Sequence, residues 1–446
     1  MAISKIRVTD NRFECAGKPF VPFGVNYFRP GTGWAPQLWK KFDAEAIRRD
    51  FGVLKFFGVN CVRVFLSYGS FHTQPGKLDS EGADKLDKFL EMAEENGIYA
   101  HPTGADHWEG LPRWVGNDRF ADEHMLVAQE EFWKLLAGRY KGRNVLFAYD
   151  LLNEPMIRWK TPTMQRRWNA HAAARYQTRE KAAEAWQIAP GAGEDFPIPP
   201  PAEKLGDRHL LDFQDCREAV ADRWVRRQVA AIKSADADAL VTCGYIQWAI
   251  PALIANVGHY AAFRPSRQAK DLDFLEFHFY PLDGGVLEYD DPEKERRNLA
   301  YLEALAVEMA KPGRPVVLAE FGWYGGGTMP LGNRRSKPAG EQDQERWCTS
   351  AVRTTEGLAC GWLNWGLYDH PEARDTTVHT GLLTPDGKPK AWGNAFKRLA
   401  EYLHNRDIPA AKIGPRPAMP WEKCITSRKA GDEFREEYFK AFSTAR

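Results

Sequence analysis

No run of about 18 apolar residues occurs anywhere in these 446 residues, so nothing in the chain has the length to cross a bilayer as a helix. Neither sign of charge is in excess either. With 61 lysines and arginines against 60 aspartates and glutamates, the chain carries no electrostatic footprint for nucleic acid or for an anionic membrane, and a neutral partner is expected. Cysteine is sparse: seven residues without a Cys-x-x-Cys spacing, an odd number that argues against a complete disulfide framework and for a reducing compartment. The first ten residues lack the apolar centre of a secretory leader. That predicts a cytoplasmic chain, or a secreted one if a leader has been removed. There is no HExxH or HxH, no GxSxG elbow, and no glycine loop followed by Lys-Ser/Thr. Gly325-Gly326-Gly327 therefore reads as a flexible loop and not as a phosphate cradle.

Aromatic residues are plentiful: 16 Trp, 15 Tyr and 25 Phe. Flat apolar faces with a polar edge suit sugar rings as well as cores. Short apolar runs alternate with longer amphipathic segments from residue 20 to 403, with strands expected at 21–27, 61–66, 99–103, 145–152, 240–245, 274–280, 316–321 and 361–366. Several are nearly continuous hydrophobic runs, as parallel strands buried on both faces require. Between the first two, Ile47, Phe51, Leu54 and Phe57 recur at helical spacing, with Asp43 as N-cap and Gly58 past the end. Eight such alternations predict a closed (β/α)8 barrel, a TIM barrel, over residues 1–405. A long insertion follows the fourth strand, about residues 156–217, and contains Pro197-Ile198-Pro199-Pro200-Pro201. Its Trp159, Trp168, Tyr176, Trp186 and Phe196 either wall a site or pack as a small subdomain. Residues 406–446 read as a tail that packs on the barrel or stays partly flexible, with one short amphipathic helix.

Two strings carry the chemistry. Leu151-Leu152-Asn153-Glu154-Pro155 and Leu318-Ala319-Glu320-Phe321-Gly322-Trp323 each place one carboxylate where an apolar strand stops and a loop begins. Pro155 cannot donate a ladder hydrogen bond, so the strand ends at Glu154. Two carboxylates at two strand ends suit glycosidic-bond cleavage, where one carboxylic acid protonates the leaving oxygen and a second carboxylate attacks the sugar or activates water. A glutamate at the end of a buried strand is costly unless paired, and Arg63, in Val62-Arg63-Val64-Phe65, is the charge that could pair with it.

Taken with His278-Phe279-Tyr280 after the sixth strand and Trp365 after the eighth, these strings make the chain resemble family 5 of the glycoside hydrolases, in the clan A group of (β/α)8 retaining enzymes. The resemblance spans about residues 20–403. It implies that Glu154 is the acid/base and Glu320 the nucleophile, and that Asn153 contacts the 2-hydroxyl of the reacting sugar. It further implies that Tyr280 and Arg63 orient the nucleophile, that His278 lies beside the acid/base, and that Trp365 is the floor under the sugar. At the third strand the family commonly shows one histidine and this chain has two. His107, with Trp108, is read as lining the site, and His101 as a packed strand residue. Asn26 and Tyr27, ending the first strand, are expected near the pocket.

The expected activity is retaining hydrolysis of β-linked oligo- or polysaccharides, of β-mannoside or β-glucoside type, with no cofactor or metal. The alternative is an exo-acting β-glycosidase on a glycoconjugate, with the insertion closing one end of the cleft. Two lower alternatives are a metal-dependent hydrolase built on His101, His107, Glu109, Glu276 and His278, and a non-catalytic carbohydrate-binding barrel, which would be expected to have lost one of the glutamates. Oligomeric state is not legible.

Overall fold

The structure is a computed structural model that describes residues 3–444 apart from 117, 190, 192, 202, 203, 256 and 405. Residues 6–20 form an antiparallel meander, β1 (Ile6–Thr9), β2 (Arg12–Cys15) and β3 (Lys18–Phe20). Eight parallel strands then close a barrel: β4 (Phe23–Asn26), β5 (Cys61–Ser67), β6 (Tyr99–Asp106), β7 (Tyr149–Asn153), β8 (Val241–Ile246), β9 (Leu275–Phe279), β10 (Val316–Phe321) and, after the hairpin β11 (Pro330–Leu331) and β12 (Arg334–Arg335), β13 (Trp362–Trp365). The expected (β/α)8 barrel is therefore the observed fold. Every residue of β5, β6, β8, β9 and β10 is buried, which is why these segments carry almost no polar alternation.

The meander is absent from the sequence reading because its strands are three or four residues long. Phe13 meets Phe147 and Phe274 edge to face at 5.0 and 5.1 Å, just before β7 and β9, so the meander plugs the N-terminal end of the barrel. The strand expected at 145–152 is shorter, Tyr149–Asn153. Residues 145–148 make a single bridge to the neighbouring strand, Ala100 to Leu146, before regular pairing of β7 takes over. The opposite, C-terminal mouth stays open. The ladder shifts register there between Asp150 and Asn153 in the β7–β8 pair and between Leu318 and Glu320 in the β10–β9 pair. Bulges of this kind re-aim side chains at a strand end.

The outer helices start and stop where capping residues dictate. Asp43 accepts from Ala46 N at the start of Ala44–Phe56, and Asp79 caps Ser80–Asn96, which ends on Gly97 at φ +70°. After β8 the expected helix shrinks to one turn, Pro265–Gln268.

The insertion folds as helices Pro162–Tyr176 and Arg179–Trp186 followed by a proline-rich strap, and it ends at 207, because the barrel helix Arg208–Ala235 begins earlier than expected. Its aromatic residues face one another. Trp186 stacks on His209 at 4.1 Å and on Trp168 at 5.4 Å. Indole N–H groups of Trp159 and Trp168 donate to Pro199 O and Pro197 O, and Trp186 donates to Asp212 Oδ2 at 2.9 Å. This is a packed subdomain. At the other end of the chain, the tail carries two helices, Trp421–Thr426 and the 17-residue Arg428–Thr444. The second is tied to helix Pro292–Ala310 by Tyr438 Oη to Glu303 at 3.1 Å.

Trp186→Ala removes a stacked, fully packed indole and strips Asp212 of a donor, so it should lower unfolding free energy by about 3–5 kcal/mol in urea titration. KM of the remaining folded enzyme should not change. A raised KM at unchanged stability would mean that this cluster touches substrate.

Candidate active site

Arg63 sits in the second barrel strand with no exposure, with acceptors around it on β4, β7 and β10. Its guanidinium donates to Asp150 Oδ2 at 2.7 Å, to Glu320 Oε1 at 2.5 Å, to Asn26 Oδ1 at 2.8 Å and to Asn153 Oδ1 at 2.9 Å. Asp150 is the partner that the sequence reading passed over, although an aspartate in Phe147-Ala148-Tyr149-Asp150-Leu151 is the same kind of anomaly as Arg63. Arg63 and His101 hold its carboxyl below the ordinary value despite burial. Its second oxygen accepts from Gly244 N at 2.8 Å, tying β7 to β8 below the site.

Glu320 is 2 % exposed, at the penultimate position of β10. Besides Arg63 it accepts from Tyr280 Oη at 2.9 Å. Burial lifts its pKa to about 7, while Arg63 and the Tyr280 hydroxyl pull against that rise. Glu154 stands in the left-handed backbone region at φ +49°, which costs a residue with a Cβ about 1–3 kcal/mol. Its N–H donates to Gly244 O at 2.9 Å and its carboxylate turns across the mouth to His278 Nδ1 at 3.0 Å. Burial in the cleft and then the charge of Glu320 raise its pKa well above the ordinary carboxylate value. His278 itself is wholly buried and held neutral by burial, with Arg63 and His101 adding to the effect. One oxygen of Glu154, one of Glu320 and a ring nitrogen of His278 lie within 4.8 Å of one another. The arrangement keeps one carboxyl protonated beside a second that Arg63 and Tyr280 favour as the anion.

These groups open on a cleft of about 470 Å³. Of the residues expected at the site, Glu154, Glu320, Asn153, Tyr280, His107, Trp108 and Trp365 line it. Asn26, Arg63 and His278 do not, since all three are wholly buried beneath it. Asn26 gives its amide to Ala319 O and Asn364 O and its oxygen to Arg63, so it braces the barrel and has nothing left for a ligand. Asn153 spends its oxygen on Arg63, leaving its amide N–H groups to donate into the cleft. Trp365 lies edge-on to Trp108 and is fixed by Nε1 donating to Thr377 Oγ1 at 2.8 Å. His107 is clamped by Asp106 Oδ1 at 2.6 Å, a hydrogen bond that raises its pKa.

Sequence reading missed several walls: Trp34 on the loop after β4, Trp323 and Leu331 after β10, and Asp375 and Thr376 after β13. Loop residues have no periodicity to betray them. Trp34 beside the glycines of Pro30-Gly31-Thr32-Gly33 was the only available signal. None of the five insertion aromatics lines the cleft, so the insertion does not wall it. The glycine loop is tied down, Gly325 N to His379 O and Gly326 N to Ala339 O. The five residues weighed for a metal do not gather into one cluster among the described residues, and His278 stands instead with Glu154 and Glu320. His101 Nδ1 points at Ala148 O and its Nε2 lies 2.8 Å from Glu276, His107 pairs with Asp106, and Glu109 accepts from Trp39 N.

The sequence model of the cellulase family, glycosyl hydrolase family 5, matches residues 16–370. Among curated proteins, glucan 1,3-β-glucosidase of Candida oleophila is 28% identical over 134 residues, 26% of this chain and 29% of that protein. β-Galactosidase of Mus musculus is 24% identical over 151 residues, 31% of this chain and 21% of that protein. The chain thus spans less than a third of the length of these relatives. Among solved structures, a GH5_18 enzyme from Streptomyces cattleya in complex with Manβ1-4GlcNAc superposes with a TM-score of 0.65 at 18% identity, over 95% of this chain and 92% of that one. The exo-β-1,4-mannosidase Op5Man5 from Opitutaceae bacterium strain TAV5 superposes with a TM-score of 0.62 at 19% identity, over 90% of this chain and 62% of that one. At such identities these likenesses speak for the barrel. The family match runs through all eight barrel strands and into the loop after the last, and by it the chain belongs to glycosyl hydrolase family 5.

Proposed function

We propose that this hydrolase cleaves short β-linked oligosaccharides, of β-mannoside or β-glucoside type, with retention at the anomeric carbon. The observation that carries the proposal is the separation of the two carboxylates. Oxygens within 4.8 Å of each other leave no room for a water between carboxylate and sugar, which an inverting pair about 6.5–9.5 Å apart requires; retaining pairs stand about 5–5.5 Å apart.

In the first step a Glu320 oxygen attacks the anomeric carbon as the glycosidic bond breaks and Glu154 gives its proton to the leaving oxygen. In the second, water attacks the same carbon, its proton passes to Glu154, and Glu320 leaves as carboxylate. Environment assigns the roles. Glu320 has a guanidinium and a phenol stabilising its anion, whereas Glu154 faces neutral His278 and a negative neighbour. Asn153 donates to the 2-hydroxyl, and Trp365 supplies an apolar face under the ring. The mannoside or glucoside assignment rests on the Manβ1-4GlcNAc complex and the mannosidase and glucosidase names among similar proteins, and on a cleft sized for a few sugar units and not for a buried polymer.

Aryl β-glycosides followed by proton NMR test the mechanism: the β-hemiacetal should appear first, and initial release of the α-anomer would overturn retention. Glu320→Ala should lose on the order of 10⁴-fold or more in kcat. Glu154→Ala should lose about 10²–10⁴-fold on poor leaving groups and far less on dinitrophenyl glycosides, which need no proton.

The pH profile follows from the two shifts. Below about 7 Glu320 takes up a proton and the nucleophile is lost; above the raised pKa of Glu154 the acid is lost. The profile of kcat/KM should be a bell with its acid limb near 7. Because the charge of Glu320 helps raise Glu154, Glu320→Gln should lower the Glu154 pKa, read by carbon-13 NMR of labelled glutamate. An unchanged Glu154 titration would contradict that coupling.

A further inference from the structure

In an eight-stranded ring, β7 and β13 lie opposite each other, so Glu154 and Trp365 face across the mouth. Glu154 must reach the leaving oxygen, so the departing sugar lies on its side and the sugar that is attacked extends away from it, over Trp365 toward β4. The loops after β13 and β4 therefore bound the glycone end. They are pinned together. His370 Nε2 lies 3.2 Å from Gly33 O and 3.0 Å from Glu372, Gly31 N donates to Glu372 Oε2 at 3.1 Å, and the rings of Trp34 and His370 meet at 5.6 Å. Burial holds His370 neutral, so this clasp does not depend on its charge.

Two polar groups of the same loop face the cleft unspent. Asp375 accepts from Thr377 N at 2.9 Å through one oxygen, and its other oxygen has no partner among the described residues. Thr376 Oγ1 is buried and has no hydrogen-bond partner among the described residues, a deficit that a ligand hydroxyl would make good. Thr377, next along, holds the Trp365 indole. Floor and edge are thus set by three consecutive residues.

We infer that the clasped loops close the glycone end of the cleft and that Asp375 and Thr376 bind hydroxyls of the terminal, non-reducing sugar, making the enzyme exo-acting. Asp375 accepts from one hydroxyl, and Thr376 donates to or accepts from a second beside it. The closure lies opposite the insertion's side of the barrel mouth. The inference rests on the retaining-glycosidase reading for the direction of the glycone.

The test uses the full chain and the aryl β-mannoside or β-glucoside that it turns over, together with the 3-, 4- and 6-deoxy analogues. Asp375→Ala should lower kcat/KM on the parent glycoside 10- to 100-fold, and Thr376→Val, nearly isosteric, about 5- to 10-fold. On the one deoxy analogue that lacks the recognised hydroxyl, the wild type should fall by a similar factor and the variant should lose nothing further. An equal loss on the parent and on every deoxy analogue overturns the assignment while leaving the glycosidase reading intact, since turnover and retention are read in the same assay. A reducing-end-labelled tetrasaccharide should lose one sugar at a time. Release of internal disaccharides by the wild type would likewise overturn closure of the glycone end.

Discussion

A guanidinium buried in a barrel of apolar strands is the constraint on which the site depends. Removed from water, Arg63 has to find charge and hydrogen-bond acceptors inside the protein, and it finds them on β4, β7 and β10 at once. Three strand ends are thereby held to one point, and two of them carry the residues that meet the sugar. Asp150 takes the charge that a structural ion pair would take, and this leaves an N–H of the same guanidinium for Glu320. Glu276, 3.9 Å from Arg63 Nε, adds a third carboxylate, but its other oxygen lies 2.8 Å from His101 Nε2, the His101 Nδ1 being committed to Ala148 O. One cation serves Asp150 and Glu320 and leaves Glu154 outside its hydrogen-bonding reach. Glu154 is accordingly the carboxyl that keeps its proton.

Much of this was legible because it violates the rule of an apolar interior. Arg63 in Val-Arg-Val-Phe and glutamates closing Leu-Leu-Asn-Glu and Leu-Ala-Glu are conspicuous, since no strand buries such groups without a reason. The barrel followed from eight alternations of apolar run and amphipathic segment. Asp150 and the His101–Glu276 pair obey the same logic and could have been drawn from it. Asn26 was placed correctly at a strand end but on the wrong side of the floor, because its side chain turns inward to Arg63 and two carbonyls. Which way a terminal strand residue points depends on the partners it finds, and here Asn26 lies level with Arg63 on the neighbouring strand, a pairing that a single sequence does not announce.

The insertion was ambiguous for a different reason. Tryptophan and tyrosine serve a sugar-binding wall and a small core equally well, and only their mutual distances separate the two uses. Here each indole N–H is spent on a proline-strap carbonyl or on Asp212, and a ring so committed on its edge and covered on its faces has nothing to offer a ligand. The cleft walls that were missed, Trp34, Asp375 and Thr376, come from loops far apart in sequence that barrel closure makes neighbours, since β13 pairs with β4.

Strain and bulges concentrate where the carboxylates are. Glu154 sits at positive φ directly before Pro155, which denies the ladder its next donor, while its own N–H is still held by Gly244 O. A residue in the extended conformation at this point would continue the strand, and its side chain would alternate toward the barrel wall or the layer below. The left-handed turn swings the carboxylate over the mouth instead, to within reach of His278 and of Glu320. Glu320 needs no such turn, because the register shift between Leu318 and Glu320 already aims it at Arg63. The two glutamates thus reach one point by different backbone devices, and each device also sets the environment. The turn lifts Glu154 away from the guanidinium and beside a neutral imidazole, and the bulge drives Glu320 onto the charge. The geometry that brings the carboxyls close is the same geometry that makes their proton affinities differ, which is what a pair sharing one proton requires.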